Sequence, residues 1–490
     1  MTRSPNSLLA RFAAAALAAA AATACTTTAR RALSGPAPVP PDQASHAGMS
    51  TLPPPATPAL SVSVDLLASG TSLNLAQVVD IALANNPVTR FSYRQARSAR
   101  EALDVARAPF YPSVDVTVTG SRAKPSGRST DVGFRSNYGP GVTLNWLVLD
   151  FGGRAGSAEE ARQALLAADW NHDAQVNNVA LAVEQAFFQY QGVKALLVAA
   201  NSSFAQSRTA LDAATRRHEA GLATIADVLQ ARTAVSQAQL EVQQLEGQVL
   251  STRGALATAM GLPASLPFDV GALTAEPPID LVTDTAETLI TRAVAQRPDL
   301  QASRALAERA GVHVGAAGSD LLPTLTLSAS ANRFWYDPAF SPDPQNGTSA
   351  RLLLTYPLFS GFGRAANQRK AREDEQAAIA QADSVQAQVV QQVWTSYYSA
   401  KTAARQIVTA RDLLASAEQS ERVALGRYKE GVGSFLDLLA AQSALANARA
   451  LEVQARAGWL LAVAQLTRDI GLMPRTDITT ELVNTPRVTP

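Results

Sequence analysis

Two aspartates stand where a carboxylate has work to do. Asp227 follows Thr224 by three positions and Asp437 follows Ser434 by three, and each pair lies three residues beyond a glycine, Gly221 or Gly431. A hydroxyl residue with an acidic one three places later marks a reciprocal helix cap. The hydroxyl oxygen accepts one backbone N–H, the carboxylate accepts another, and its charge meets the positive end of the helix dipole. Repeated around a symmetry axis, the same carboxylates would form a ring that concentrates cations at a constriction. The other reactive candidate is Cys25, the single cysteine. The four histidines, His46, His172, His218 and His313, have no metal-ligand spacing, and neither a nucleophile motif nor a phosphate-cradling loop is present. The sequence therefore speaks against an enzyme and implies no metal or cofactor.

The aspartates belong to two copies of one turn. Arg217-His218-Glu219-Ala220-Gly221-Leu222-Ala223-Thr224-Ile225-Ala226-Asp227-Val228-Leu229 is answered 210 positions later by Arg427-Tyr428-Lys429-Glu430-Gly431-Val432-Gly433-Ser434-Phe435-Leu436-Asp437-Leu438-Leu439. In each copy the glycine supplies the left-handed residue that ends one helix, and Thr224 or Ser434 caps the next. The chain reverses there. Asn86-Pro87 and Arg297-Pro298, Tyr111-Pro112 and Leu322-Pro323, and Met260-Gly261-Leu262 and Ile470-Gly471-Leu472 keep the same offset to within one residue. One supersecondary plan is used twice.

Long helices must carry these turns. Residues 154–219 and 364–430 run for 66 and 67 positions without a proline, which makes rods of about 100 Å. Helices over 224–259 and 434–469 return. Their Ala, Gln, Leu and Val are interrupted by charge well before the 18 or so apolar residues that a membrane helix needs, so these helices belong in water. The period then changes from helical to two. Val114, Val116 and Val118 alternate with Asp115, Thr117 and Thr119, and Val142, Leu144, Trp146 and Val148 alternate through the next run, as in a strand with one wet face. Strands are expected over 113–121, 141–149, 324–334 and 351–359. Four strands are too few for a membrane barrel, which needs at least about eight, and an open sheet would leave unpaired edges in hydrocarbon. The barrel must be shared between chains, and two, three or four protomers satisfy closure. The alternative is a pair of water-soluble β-hairpins packed on the helices.

The chain thus divides into a first repeat at 71–260 with the long hairpin 154–259, a connecting segment at 261–285, a second repeat at 286–470 with the long hairpin 364–469, and a tail at 471–490. Ahead of these, Arg3 and Arg11 precede the apolar run Phe12 to Ala22, too short to span a bilayer, so residues 1–24 read as a secretory signal peptide. Ala22-Thr23-Ala24-Cys25 offers either ordinary cleavage at an A-x-A site or acylation of Cys25. Lipidation is the preferred reading, because the single cysteine stands where acylation needs it. Residues 25–70, rich in Pro, Ala, Ser and Thr, form an extended tether. A net charge of +1, with both signs scattered along the helices, gives no case for nucleic acid.

The doubled Gly-x-x-[Thr/Ser]-x-x-Asp-[Val/Leu]-Leu turn, the prolines of Tyr111-Pro112 and Leu322-Pro323, and Leu358-Phe359-Ser360-Gly361-Phe362-Gly363-Arg364 carry a family resemblance. Together they resemble the TolC-like outer-membrane efflux proteins, especially the lipoprotein outer-membrane factors of tripartite drug pumps, over Leu73 to Leu472. The resemblance implies an α+β membrane protein that is a homotrimer. Four strands from each of three chains would form a shared 12-stranded outer-membrane β-barrel, continuous with a long antiparallel α-helical barrel in the periplasm. It also implies a passive conduit for small molecules such as drugs, gated at the helical tips. Its partners would be outer-membrane lipid, a periplasmic adaptor and an inner-membrane pump of the proton-driven multidrug type.

Residue by residue, Asp437 matches the family position that lines the narrowest point. Some relatives carry another Asp three residues on, where Ala440 stands here, so a single ring is expected. Asp227 matches a position that accepts a hydrogen bond from a tyrosine of the neighbouring tip, and that tyrosine matches Tyr428. A further arginine of some relatives is Gly433 here, and its partner position is Ala226. Leu222, Ala223, Val432 and Gly433, on the turns made by Gly221, Thr224, Gly431 and Ser434, are where an adaptor would dock. Arg217 and Arg427 suit the negative ends of their helices and carry no other expected role. Thr26 after Cys25, in place of an aspartate, resembles bacterial lipoproteins destined for the outer membrane. Two other functions fit parts of the pattern. Type I protein secretion shares the architecture, although the expected anchor favours drug efflux. A structural coiled-coil envelope lipoprotein explains the helices and leaves the strands unexplained.

Overall fold

The computed structural model describes residues 72–124, 134–273, 283–336 and 343–472. Cys25, the signal segment, the tether and all but the first two residues of the tail lie outside the described residues. The chain forms two compact units.

The first unit takes in Asp104–Arg154 and Gly318–Phe362. Its strands β1 (Ser113–Ala123), β2 (Arg135–Leu149), β3 (Thr324–Tyr336) and β4 (Gln345–Thr355) make one four-stranded antiparallel sheet in sequence order. Register sorts the side chains by polarity, as the two-residue period requires. Val114 and Val116 oppose Leu144 and Val142, which oppose Ala329 and Ala331, while Leu325 and Leu327 oppose Leu354 and Leu352. The other face carries Asp115 against Thr143, and Ser328 and Ser330 against Arg351 and Ser349. The apolar face is uncovered, with Val118 81% and Leu352 64% exposed. At its far end Tyr138 stacks on Trp335, ring centroids 5.8 Å apart, as in the aromatic girdle of a membrane barrel. β1 and β4 each have one unpaired edge.

β1 and β3 run two residues past their expected ends, to Ala123 and Tyr336, and the other two strands differ more. β2 begins at Arg135 rather than 141, because Gly139 and Pro140 are held in the strand by pairing opposite Thr119 and Val118 of β1, and β2 resumes pairing with β3 at Gly141. β4 starts six residues early, at Gln345, and ends at Thr355 rather than 359, short of Pro357, which has no N–H to donate.

β2 ends in a bulge between Leu147 and Leu149, and Arg154 occupies the carbonyls freed there. Its guanidinium donates to Leu147 O (2.5 Å) and Val148 O (3.1 Å), its Nε to Asp150 (3.2 Å), and it lies 5.0 Å from the Phe110 ring centre. The turn into the following helix uses Phe151 (φ 50°) and Gly152 (φ 103°), and the second repeat answers with Gly361 (φ 63°) and Phe362 (φ 64°). A left-handed phenylalanine costs roughly 1–2 kcal/mol, and each repeat carries one in this turn, first of the pair at Phe151 and second at Phe362.

The second unit is helical. Its helices are α1 (Leu75–Asn85), α2 (Pro87–Arg107), α3 (Gly153–Glu219), α4 (Ile225–Ala259), α5 (Ala286–Gln296), α6 (Pro298–Ser319), α7 (Gly363–Lys429) and α8 (Phe435–Ile470). α3 and α7 each have 67 residues, about 100 Å of helix. No helix among the described residues is long and apolar enough to cross a membrane. Each repeat buries its own core where α1 or α5 meets the long hairpin. Val78, Ala82, Val179, Val183, Phe187 and Leu256 pack together in the first, and their counterparts Leu289, Ala293, Val389, Val393, Tyr397 and Leu466 in the second. Small residues let helices close up: a Cβ on Gly192 would lie 3.2 Å from the Cβ of Ala457.

The repeats differ where α1 meets α2 and α5 meets α6. In the first, Asn86 donates to Ala259 O (2.9 Å). In the second, Arg297 takes that place, 3% exposed, between Asp299 (2.8 Å) and Asp469 (4.0 Å), and the latter also pairs with Arg468 (3.0 Å). The connecting segment lies on α3 as far as Leu273. Asp269 meets Lys194 (2.5 Å) and the Tyr190 hydroxyl (3.2 Å), and Val270 bridges Leu73.

Candidate functional site at the helical tips

Both turns fold as their residues dictate. After α3, Gly221 has φ 73°, Leu222 N–H donates to Arg217 O (2.7 Å), and α4 opens on a reciprocal cap in which Thr224 N–H donates to Asp227 (3.1 Å) and Asp227 N–H to Thr224 Oγ1 (3.3 Å). After α7, Gly431 has φ 78°, Val432 N–H donates to Arg427 O (3.0 Å), and Ser434 and Asp437 cap α8 in the same way (3.4 and 3.1 Å). Gly433 is tightly placed, since a Cβ there would come within 3.0 Å of Arg427 Cβ. Both aspartates thus take the capping role that their spacing suggested.

The two tips pack on each other. Ala210, Ala214, Val228 and Ala231 of the first meet Tyr428, Phe435 and Leu438 of the second in one buried cluster. Tyr428, 4% exposed, meets Phe435 edge to face with ring centroids 5.5 Å apart. By contrast Leu222 and Val432, at the outermost points of the turns, are 70% and 69% exposed. Between the tips runs a groove of about 930 Å³ lined by Gln206, Ala213, Arg216, Leu222, Leu425 and Lys429, among others.

One expected link is not made within the chain. The Tyr428 hydroxyl has no hydrogen-bond partner among the described residues, so it does not donate to Asp227. The reason is geometric: the Asp227 carboxylate is turned back onto the Thr224 N–H, and the tyrosine ring is packed into the cluster. Burial holds this hydroxyl above the ordinary phenol range, with the Arg217 charge opposing and Asp227 adding to the rise.

A polar contact that joins the tips was missed. Arg217 leaves its own helix end, donates from Nη1 to Tyr428 O (2.5 Å), and lays its guanidinium 4.8 Å from the centre of the Tyr428 ring. The sequence signal is an arginine in a last helical turn, where the helix dipole already gives it a role. No group of three or more His, Cys, Asp or Glu side chains among the described residues is placed to hold a metal.

A sheet with an uncovered apolar face, a polar face opposite and two open edges, in a chain whose long helices end in capped turns, is what a subunit of an outer-membrane channel needs. The chain belongs to the outer membrane efflux protein family, whose model matches residues 78–262 and 289–472, and it is an outer-membrane efflux channel. It is 28% identical over 400 residues to protein CyaE of Bordetella pertussis, covering 80% of this chain and 84% of that protein. It is 26% identical over 414 residues to the probable efflux pump outer membrane protein TtgC of Pseudomonas putida, covering 81% of each. The fold is that of the outer membrane protein VceC from Vibrio cholerae, with a TM-score of 0.72 at 20% identity over 84% of this chain and 98% of that one. It also matches the CmeC outer membrane channel of Campylobacter jejuni, with a TM-score of 0.71 at 18% identity over 84% and 88%.

Proposed function

We propose that three copies of this chain join their four-stranded sheets into one 12-stranded barrel and act as a passive, gated exit duct of a tripartite efflux pump for small molecules such as drugs. The observation that carries this reading is the sheet itself, whose apolar face suits lipid, whose opposite face suits water, and whose edges at β1 and β4 await partners. Family membership supports the count of three. Asp437 forms the carboxylate ring at the narrowest point while capping α8, with Asp227 beside it. A periplasmic adaptor grips the exposed Leu222 and Val432 with the adjoining Ala223 and Gly433, and an inner-membrane pump, of the proton-driven multidrug type, supplies the energy. Acylated Cys25 anchors the mature chain in the outer membrane.

The test is direct. Purified full-length protein in detergent should have the mass of three chains and give discrete conductance steps in planar bilayers. A monomer that stays soluble without detergent would sink the proposal.

A further inference from the structure

We propose that Arg217 is the latch that holds the two helical tips of a protomer together when the channel is closed. The inference rests on the channel reading above and names a positioning residue within it.

α3 and α7 both end at the tips, so their negative dipole ends lie side by side and repel. Arg217 sits between them. It lies in the last turn of α3, where its charge meets that helix end. Its Nη1 donates to Tyr428 O (2.5 Å), a carbonyl in the last turn of α7 that also accepts the Gly431 N–H (3.1 Å). One cation therefore serves two helix ends. The same guanidinium covers the Tyr428 ring at 4.8 Å, within the range where a desolvated cation is attracted to an aromatic face. Its Nε is buried without a hydrogen-bond partner among the described residues, so water is excluded from this side of the contact.

What the latch lacks is as informative as what it has. Its polar partner is a carbonyl and its other partner a ring, and no ion pair of Arg217 with a carboxylate is seen among the described residues. Breaking a buried ion pair would strand a carboxylate at high cost. Parting Arg217 from a carbonyl and a ring leaves no bare charge except one that water readily solvates. Such a contact can be strong in the closed state and still reversible. It also assigns Tyr428 a role that its ring and backbone perform, not its hydroxyl.

The experiment compares full-length wild type with Arg217→Ala, Arg217→Gln, Arg217→Lys, Tyr428→Phe and Tyr428→Leu in planar bilayers. Assembly of each is checked by size in detergent. Arg217→Ala and Arg217→Gln should raise the open fraction on the order of tenfold, with Gln guarding against a mere folding defect. Arg217→Lys, which keeps the charge, should restore part of the closure. Tyr428→Phe should conduct as wild type does, and Tyr428→Leu should open. Wild-type conductance with an unchanged open fraction in Arg217→Gln overturns the latch, and so does opening by Tyr428→Phe equal to that of Arg217→Ala. Wild-type protein that conducts under no condition overturns the channel reading on which the latch rests.

Discussion

Glu184 offers a measurable link between burial and pH. It lies on α3 beside Val183, one turn from Ala180 and Phe187, and is 3% exposed, with Oε1 lacking any hydrogen-bond partner among the described residues. Burial alone pushes its carboxyl up to about 7 from an ordinary 4.5. Below the unfolded value both states hold the proton and ionisation costs nothing. As pH rises beyond it, the unfolded chain releases the proton while the folded chain keeps it, so stability falls until the folded group also ionises near 7. A gap of about two and a half pH units at about 1.4 kcal/mol each is roughly 3 kcal/mol. Glu184→Gln keeps the shape and removes the titration. Thermal unfolding of the detergent-solubilised protein between pH 4.5 and 8 should show wild type losing roughly 3 kcal/mol relative to the variant as pH rises. Parallel profiles would refute the reasoning.

Four further outcomes are expected. Arg297→Ala, which strips one of two cations from the buried Asp469, should destabilise by roughly 3 kcal/mol, read by chemical unfolding. Ser434→Ala removes the cap of α8 and should cost about 1 kcal/mol, seen as faster hydrogen exchange confined to its first turn. Asp437→Asn should lower cation preference, measured as a shift in reversal potential across a salt gradient, and an unchanged potential would remove Asp437 from the constriction. Cys25→Ala should abolish incorporation of labelled palmitate, while label retained in that variant would disprove acylation at this residue.

Much of the fold was legible because it obeys short-range rules. The reciprocal caps at Thr224 and Ser434 and the left-handed Gly221 and Gly431 are written in residues three apart, and the repeat sets the length of the hairpins. The alternation of Val114, Val116 and Val118 announced a strand for the same reason. Bounds were lost where pairing overrides local pattern. The run Gln345 to Ala350 is polar on both faces, and only its partner β3 makes it a strand. The tip contact was hidden by distance: Arg217 and Tyr428 are separated by 211 residues, and the repeat gives no hint because His218, not an aromatic phenol, stands opposite in the equivalent position. Within one chain the Asp227 carboxylate is engaged in its cap and does not meet the Tyr428 hydroxyl.

The bare edges of β1 and β4 bear on heredity as well as on architecture. In the proposed three-chain channel, a copy that folds but cannot pass solutes still takes its place in the wall and spoils the pore for its two sound neighbours. Cells making normal and crippled chains in equal amounts would keep only about one pore in eight wholly intact. Such alleles should be dominant over the normal gene.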